Sequence, residues 1–168
     1  MPIVVRQARR DDLPGIRAIY NHAIRELAAT FDTEEKSLAD RAAWFDAHDD
    51  RHPIFVAIDD DMVVGWASLS PFSERSAYAR TVENSVYIRI DRWGEGIGGM
   101  LMEALMRAAR EAEHHVVVAK ITGDNEASVR LHRHFGFVEA GALHQVGWKF
   151  GRWHDIHIME AILEEEKR

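Results

Sequence analysis

The feature that most constrains the fold is a stretch near the middle of the chain, residues 85–101, in which a strand pattern passes through a cluster of glycines into a helix pattern. Val86, Ile88 and Ile90 alternate with other residue types, which is the period of a strand with two different faces. From Leu101 onward, apolar residues recur at helical spacing. The glycines between the two patterns are Gly94, Gly96, Gly98 and Gly99.

The glycine cluster predicts a pyrophosphate-binding turn. At the start of a helix the first N–H groups have no intrahelical partner, and the helix dipole adds partial positive charge there. Glycines have no Cβ, so a phosphate can approach the backbone closely. A P-loop is excluded because Met100 follows Gly99, where that motif requires Lys and then Ser or Thr. A glycine-rich turn without a ligand is the alternative.

The remaining patterns predict an α+β fold rather than a doubly wound parallel sheet. Helices are expected over residues 13–26, after a Ser37 cap, after the glycines, and after Asn125, where Gly136 ends the last one. Strands are expected over residues 3–8, 54–58, 63–70, 81–90, 116–122, 137–143, 146–150 and 153–162. Because several strands precede the glycine turn, the dinucleotide fingerprint that the same glycines formally match is disfavoured.

Composition limits the possible function classes. A chain of 168 residues is expected to form one domain, residues 1–168, with a sizeable core and an acidic solvated tail at residues 164–166. The formal net charge of −7 argues against nucleic acid and anionic membranes as partners. The absence of cysteine excludes disulfides, thiolate metal sites and a cysteine nucleophile. No signal sequence or membrane-spanning run is evident, so a cytoplasmic location is expected.

Several further motifs occur in order along the chain. They are Arg75-x-Ala77-Tyr78, Thr81-Val82-Glu83-x-Ser85-Val86-Tyr87, Gly94-x-Gly96-x-Gly98, Asn125-x-x-Ser128-Val129-x-Leu131-His132 and Val146-Gly147-x-Lys149-x-Gly151-x-Trp153-x-Asp155. Together they cover about residues 72–156 and resemble the GCN5-related N-acetyltransferase (GNAT) family. The resemblance is strongest to its phosphinothricin acetyltransferase-like branch, which includes methionine sulfoximine and sulfone acetyltransferases. It implies the acyl-CoA N-acyltransferase fold, with a central mixed, mostly antiparallel sheet flanked by helices.

The resemblance also implies a reaction and an assembly. Acetyl-CoA would be the donor, and the acceptor would be a small primary amine on an amino acid analogue such as phosphinothricin, methionine sulfoximine or methionine sulfone. A homodimer is implied in the same way. Acyl transfer from a thioester to an amine needs no nucleophilic side chain, which agrees with a chain that has no cysteine. Two alternatives stay open: an acetyltransferase for another amine, such as a polyamine or a protein N-terminus, and a non-catalytic acyl-CoA-binding sensor.

Coenzyme binding is assigned to the strand, the glycine turn and the start of the late helix. The residues are Val86, Tyr87, Ile88, Trp93, Gly94, Glu95, Gly96, Ile97, Gly98, Gly99, Asn125 and Ser128. Backbone donors of residues 86–88 would also stabilise the tetrahedral oxyanion. Trp93 stands where the family has Arg or Gln, so the contact on the adenosine side departs from the family pattern. For Asn125, a helix cap is the alternative role.

Two residues are assigned to proton transfer. Glu83, near the start of the long strand, is predicted to be the general base, either directly or through water. A surface glutamate in a salt bridge is the alternative. His132 stands where many family members have a tyrosine as general acid, and the phosphinothricin branch shares this histidine. It is predicted to protonate the leaving thiolate or to position the amine, with a packed helix histidine as the alternative.

Acceptor binding is assigned to Phe31, Glu74, Arg75 and Ser85. Arg75 would hold the acceptor's carboxylate bidentately, and Phe31 would close over the acceptor. Three residues of the last motif are expected to be structural or dimer-related: Lys149, Trp153 and Asp155.

No metal site is predicted, although the chain has ten histidines. His132 and His134 are two positions apart on a helix and therefore diverge. His114 and His115 are expected to be a solvated pair at the end of a helix.

Overall fold

The computed structural model describes residues 2–164, so most of the predicted acidic tail lies outside the described residues. The strands are β1 (Val4–Gln7), β2 (Ile54–Asp59), β3 (Met62–Pro71), β4 (Thr81–Ile88), β5 (Val116–Thr122), β6 (Val138–Lys149) and β7 (Arg152–Ile162). The α-helices are α1 (Leu13–Glu26), α2 (Leu38–Asp46), α3 (Ile97–Glu111) and α4 (Glu126–His134). Over the described range the seven strands form one sheet, in the order β1-β2-β3-β4-β5-β7-β6.

Local sequence explains where α1 and α2 begin. Pro14 lies in the first turn of α1, where its fixed φ angle suits the helix and its missing N–H costs nothing. Ser37 caps α2: its hydroxyl accepts from the Asp40 N–H at 3.0 Å, and the Asp40 carboxylate accepts from the Ser37 N–H at 2.8 Å. The predicted first helix and the Ser37 cap are therefore confirmed.

Different helices cover the two faces of the sheet. On one face, Ile16 of α1 packs with Val56 and Trp66, and residues of α2 pack at the edge of this cluster. On the other face, Leu101 and Leu105 of α3 pack with core residues of β3, β4 and β5, and apolar residues of α4 lie against the same cluster. Burial of this apolar surface is the main favourable term that holds the helices on the sheet.

The sheet is mixed because β4 and β5 run parallel, whereas the other neighbouring strands pair antiparallel. The predicted α+β class is therefore confirmed. The parallel ladder is short, and its last pair joins Glu83 to Val118. Beyond it, β4 stays paired with β3 as far as Ile88, while β5 pairs with β7. β4 and β5 therefore diverge, and the sheet opens beside the second half of β4.

The strand expected over residues 81–90 was too long. β4 ends at Ile88, and a 3-10 turn, Ile90–Arg92, connects it to the glycines. The alternation of Ile88 and Ile90 predicted two more strand residues. However, the ladder to β3 stops at Ile88, and residues 90–92 turn the chain toward α3.

The prediction of three closing strands was also wrong. The segments expected over residues 137–143 and 146–150 belong to one strand, β6, whose register shifts between Leu143 and Gly147. Within the shift, Gln145 has a φ of 54°, and its N–H donates to the Asp155 carboxylate at 2.7 Å. The interruption is an irregularity stabilised by a side chain from the neighbouring strand, which sequence alone does not distinguish from a turn.

The prediction of a solvated histidine pair at the end of α3 was wrong for one of the two residues. His115 is exposed, but His114 is buried, and its Nε2 donates to the Arg51 carbonyl at 2.7 Å. Burial lowers the pKa of His114 below its ordinary value, so the ring is kept neutral. His114 therefore joins the end of α3 to the loop before β2.

Candidate active site

The opening between β4 and β5 exposes one edge of β4. Arg89, just after the strand, donates its N–H to Val64 of β3 at 2.9 Å. Because backbone groups of successive strand residues point to alternate sides, Val86 and Ile88 direct their N–H and C=O groups toward the opening instead. The indole N–H of Trp93 donates to the Ile88 carbonyl at 3.0 Å, which agrees with this direction. The edge therefore presents backbone donors where β5 no longer pairs with them.

The glycine turn continues from this edge into α3. Gly94 and Gly96 have φ angles of 83° and 81°, which only glycine adopts without strain. Gly96 is the N-cap of α3, no side chain in the described part of the chain caps the helix, and the first turn contains no acidic residue. The positive end of the helix dipole and the first N–H groups of α3 are therefore available to an anion.

Gly98 has a different role from the two turn glycines. A Cβ at this position would lie 3.2 Å from a methyl carbon of Leu131 on α4. Gly98 therefore lets α3 and α4 approach each other closely beside the turn.

A groove of about 590 Å³ runs along the β4 edge and the glycine turn. Most of the predicted coenzyme residues line it: Val86, Tyr87, Ile88, Trp93, Gly94, Gly96, Ile97, Gly98, Asn125 and Ser128. Glu95 and Gly99 do not line it. Glu95 is exposed and pairs with Arg92 at 2.7 Å, and Arg92 also pairs with Asp59 at 2.8 Å. This ion-pair chain joins the turn to the end of β2.

A smaller cavity of about 280 Å³ meets the groove at Ala29, Val86, Tyr87, Asn125 and Ser128. It is lined by predicted residues from widely separated parts of the chain: Phe31, Glu83, Ser85 and His132. The structure therefore brings both predicted proton-transfer residues and two of the four predicted acceptor residues to one place. This cavity is the candidate acceptor site, and we call it the acceptor cavity.

Glu83 reaches the acceptor cavity from the last residue pair of the parallel ladder. Its carboxylate lies 3.3 Å from the ammonium of Lys120 on β5, and the side chain is 30% exposed. The salt bridge of the alternative interpretation thus exists, but it lies within the cavity wall. An exposed ion pair of this kind adds little to stability, so stability alone does not explain the position of Glu83.

His132 lies in the other side of the cavity wall and is buried. Its Nδ1 lies 2.6 Å from the Ser128 carbonyl, to which it must donate, so its Nε2 accepts from the amide nitrogen of Asn84 at 2.9 Å. Burial lowers the pKa of His132, and the bond to the Ser128 carbonyl opposes this only in part. The imidazole is therefore neutral at pH 7.

Asn84 is a site residue that the sequence analysis missed. It is buried in the wall of the acceptor cavity, and its Oδ1 has no hydrogen-bond partner among the described residues. The sequence did contain a signal for Asn84, because Val82, Asn84 and Val86 share one face of β4 and an amide is unusual between two valines on an apolar face.

Asn125 caps α4 as its alternative role requires, with its Oδ1 accepting from the Ser128 N–H at 3.2 Å.

Glu74 and Arg75 lie away from this cavity. Both are exposed in the loop between β3 and β4, where Arg75 precedes the 3-10 turn Ser76–Tyr78. Neither residue lines the groove or the acceptor cavity. Within one chain, the structure therefore does not bring the predicted carboxylate-binding arginine to the acceptor cavity.

In residues 2–164, no three or more His, Cys, Asp or Glu side chains are grouped so that they could hold a metal ion. None of the helices in the same range is both long enough and apolar enough to cross a membrane.

A mixed sheet that opens between two parallel strands, with a helix-starting glycine turn beside the opening, defines a coenzyme-binding acyltransferase class. The sequence model of the acetyltransferase (GNAT) family matches residues 16–137, and the chain belongs to this family. It is an acetyl-CoA-dependent N-acetyltransferase with the fold that the sequence motifs implied.

Comparisons with known proteins cover nearly the whole chain. The chain is 43% identical over 166 residues to a Pseudomonas paraeruginosa L-methionine sulfoximine/L-methionine sulfone acetyltransferase, covering 98% of this chain and 96% of the relative. A Sinorhizobium meliloti phosphinothricin acetyltransferase in complex with AcCoA superposes with a TM-score of 0.93 at 33% identity, covering 97% and 89% of the two chains. A Brucella melitensis ribosomal-protein-alanine N-acetyltransferase gives the same TM-score at 40% identity, covering 95% and 99%.

The groove has the chemistry that acetyl-CoA requires. The glycine turn and the first N–H groups of α3 suit a pyrophosphate, because they combine backbone donors with open space in place of side chains. The edge of β4 at Val86 and Ile88 offers strand-type hydrogen bonds to the amide groups of the pantetheine arm. When bound, acetyl-CoA supplies the thioester whose acetyl group is transferred.

Proposed function

We propose that this enzyme transfers the acetyl group of acetyl-CoA to the α-amino group of a small amino acid analogue of the methionine sulfoximine, methionine sulfone or phosphinothricin type. The observation that carries the proposal is the meeting of the two cavities. A carboxylate, Glu83, and the backbone donors of β4 line the same small space beside the coenzyme groove. A cavity of about 280 Å³ suits an acceptor of amino acid size. We also propose that residues 1–168 form one acetyltransferase domain.

In this proposal Glu83 is the general base. Its carboxylate takes one proton from the acceptor's ammonium group, directly or through a water molecule, and passes it to solvent. The freed nitrogen then forms the N–C bond with the thioester carbonyl carbon. The N–H group of Val86, which lines both cavities, stabilises the negative charge that develops on the carbonyl oxygen, while Ile88 lies farther along the groove. The first turn of α3 orients the donor through its phosphates.

In this proposal His132 transfers the second proton that the acceptor's amino group loses. Because its imidazole is neutral at pH 7, it cannot donate from Nε2 until Nε2 has accepted a proton. We propose that the Asn84 amide, which donates to Nε2 in this structure, first turns aside, and that Nε2 then accepts the second proton from the acceptor nitrogen and gives it to the CoA sulfur as the C–S bond breaks. One ammonium and one thioester then yield one amide, one thiol and one proton released through Glu83. Asn125 and Ser128 position His132 by ordering the first turn of α4.

The acceptor's carboxylate and amino group need binding partners of their own. We propose that Arg75 and Glu74 bind the polar ends of the acceptor, with Ser85 and Phe31 in the wall around its side chain. Because Arg75 lines neither cavity in the single chain, its approach requires movement of the loop between β3 and β4 or contact with another chain. An Arg75→Ala variant is expected to raise KM for the acceptor far more than KM for acetyl-CoA, and equal effects would remove this role.

We further propose a cytoplasmic homodimer that binds neither nucleic acid nor membranes. The support for a dimer is the surface of the β6–β7 hairpin, which exposes large apolar side chains: Leu143, Val146, Trp148, Phe150 and Trp153. Such a group on one hairpin is typical of an interaction surface. Light scattering after size exclusion is expected to give twice the chain mass, and a Trp148→Glu, Trp153→Glu double variant is expected to give one chain mass. Met62→Glu, at an equally exposed apolar residue, is the control.

The first experiment measures CoA release from acetyl-CoA with a panel of amines. The panel contains methionine sulfoximine, methionine sulfone, phosphinothricin, polyamines and short peptides. Turnover confined to the amino acid analogues supports the proposal. Turnover of a peptide that begins with alanine would favour the protein N-terminus alternative, which the likeness to the Brucella structure keeps in view. Acetyl-CoA binding without turnover of any amine would favour the sensor alternative.

A further inference from the structure

The segment between α1 and the acceptor cavity, residues 27–31, is held in an unusual way. Its successive carbonyl groups accept hydrogen bonds from side chains of three different strands. Lys149 Nζ of β6 donates to the Leu27 and Thr30 carbonyls at 2.7 and 2.8 Å. Thr122 Oγ1 of β5 donates to the Ala28 carbonyl at 2.5 Å, and the Tyr87 hydroxyl of β4 donates to the Ala29 carbonyl at 3.3 Å. We call residues 27–31 the acceptor segment.

Lys149 is the central donor of this arrangement. Its side chain is buried, and the acceptors within reach of its ammonium are backbone carbonyls, including that of Ala23 in the last turns of α1 at 3.5 Å. A cation near these carbonyls is favoured by the negative end of the helix dipole. Burial lowers the pKa of Lys149, and the carboxylate of Asp32 opposes this shift. His154 donates to the Lys149 carbonyl at 2.8 Å and fixes its backbone.

Gly147, two residues before Lys149 on the same strand, receives the side chain at the end of the acceptor segment. The ring of Phe31 packs so closely over Gly147 that a Cβ there would lie 2.6 Å from its Cζ atom. Phe31 lines the acceptor cavity but not the coenzyme groove. The absence of a side chain at Gly147 therefore decides how far the Phe31 ring stands from the cavity centre.

We propose that Gly147 and Lys149 of β6 are positioning residues that set the size of the acceptor cavity, and with it acceptor specificity, by holding the acceptor segment. The proposal rests on the proposed function only in naming an amino acid analogue as the acceptor. Neither residue touches the cavity itself. Lys149 holds the segment at its carbonyls, and Gly147 leaves space for the Phe31 ring.

The first test is a double-mutant cycle between Gly147 and Phe31. In Gly147→Ala the added methyl group displaces the Phe31 ring toward the cavity, so KM for methionine sulfone is expected to rise about tenfold while KM for acetyl-CoA changes less than about twofold. Phe31→Ala removes the displaced ring. Gly147→Ala added to Phe31→Ala is therefore expected to have little further effect. Additive effects of the two substitutions would overturn the proposal.

The second test concerns Lys149 and needs no turnover. In Lys149→Met, cleavage by chymotrypsin after Leu27 or Phe31 is expected to accelerate at least about tenfold relative to the wild-type chain, because the segment opens more often. Lys149→Arg, which keeps a cation, is expected to restore part of the protection. The control is His114→Phe, which removes a buried hydrogen bond to a carbonyl at a site that lines neither cavity. Equal acceleration in the control, or none in Lys149→Met, would overturn the proposal.

The two tests separate failure of this proposal from failure of the proposed function. A chain that acetylates none of the panel amines would refute the proposed function, while proteolysis would still report whether Lys149 holds the acceptor segment. Turnover of methionine sulfone, with additive effects in the cycle, would refute the positioning role alone.

Discussion

The coenzyme groove and the acceptor cavity meet on β4, but the backbone and the side chains contribute to them differently. Residues 86–98 give the groove a continuous stretch of backbone: a free strand edge, two glycines with positive φ and the start of a helix. The acceptor cavity brings together residues from β4, β5, α4, β7 and the acceptor segment, which are far apart in the sequence. Lys149 of β6 holds that segment.

This difference determines which substitutions the groove and the acceptor cavity tolerate. A site made of consecutive backbone groups depends on conformation, so changes of side chain should matter little unless they alter φ angles. A site made of converging side chains depends on the identity of each one and on the distant contacts that place it. The first kind can be recognised from a short motif, whereas the second requires the tertiary structure.

The largest expected loss of activity comes from a substitution in the acceptor cavity. Glu83→Gln removes the proposed base but keeps the shape of the side chain, and we expect kcat to fall by about 10²- to 10⁴-fold. KM for acetyl-CoA should change little, because the groove does not include Glu83. Steady-state kinetics with both substrates varied measures the two effects separately.

Two further variants distinguish catalysis from the salt bridge. Lys120→Met breaks the same ion pair and leaves the carboxylate, so it should retain far more activity than Glu83→Gln. Glu103→Gln, which breaks an exposed pair with Arg107 at 3.4 Å on α3, should be close to wild type. An equal loss in Lys120→Met and Glu83→Gln would assign the effect to the ion pair and remove Glu83 as base.

The next largest effect should come from the coenzyme side, through a backbone angle. Gly96→Ala places a Cβ on a residue with a φ of 81°, which costs about 1–2 kcal/mol, and we expect acetyl-CoA to bind about tenfold more weakly. Isothermal titration with acetyl-CoA measures this change directly. The added methyl group itself meets open space, so the effect would come from the conformation rather than from a collision within the protein.

Gly99→Ala provides the matched control for Gly96. Gly99 lies within α3, does not line the groove, and has open space where a Cβ would be. Alanine there should leave acetyl-CoA affinity unchanged and stabilise the helix by about 0.5–1 kcal/mol. Weak binding in both variants would mean that the methyl groups obstruct the ligand, contrary to a conformational role for Gly96.

For the same physical reason, the sequence motifs identified most of the residues of the strand edge and turn that line the groove. Strand alternation, a run of glycines and a helical stripe are local signals, and together they located the strand edge and the turn of the groove. The error at the end of β4 was small, since Ile88 and Ile90 continue the alternation although pairing with β3 has stopped. Tertiary pairing, which ends that strand, leaves no mark in the local pattern.

The acceptor side was predicted only where the family motifs reached it. Glu83 and His132 were found in this way, but Asn84 was missed because it occupied an unassigned position within a motif. The role proposed for Lys149 could not be inferred either, since it depends on carbonyl groups more than 100 positions earlier in the chain. Hydrogen bonds to backbone carbonyls carry no information about the sequence of the segment that accepts them.

A smaller effect on the acceptor side should appear as a shift in pH dependence. Asn84→Asp places a carboxylate beside Nε2 of His132, which raises the pKa of the imidazole because the charged form gains a partner. If the neutral ring is the active form, activity falls as the pH is lowered, and in Asn84→Asp this fall begins at a higher pH than in the wild type. At pH 7 the variant is expected to be about threefold less active. Profiles of kcat/KM from about pH 5 to about pH 9 test the shift.

The control for this shift is Asn84→Ala, which removes the amide without adding charge. The acid limb of its profile should not move upward, because burial still disfavours the imidazolium. Asn84 Oδ1 has no partner within residues 2–164, which indicates how the wild-type residue serves both protonation states: a half-turn of the amide exchanges Nδ2 for Oδ1, which accepts from a protonated Nε2. An acid limb unchanged in Asn84→Asp would mean that His132 does not titrate in the reaction.

The smallest expected effect tests the one side chain of the glycine turn that contacts the exposed strand edge. Trp93 donates its indole N–H to the Ile88 carbonyl and is otherwise 55% exposed. Trp93→Phe removes this hydrogen bond, which is worth about 0.5–1.5 kcal/mol, and leaves the backbone of the turn intact. We expect acetyl-CoA to bind about two- to fivefold more weakly, with kcat unchanged. Tyr78→Phe, at an exposed aromatic residue outside the groove, should have no effect on binding. A loss of tenfold or more in Trp93→Phe, as large as that expected for Gly96→Ala, would mean that side chains as well as backbone build the coenzyme side.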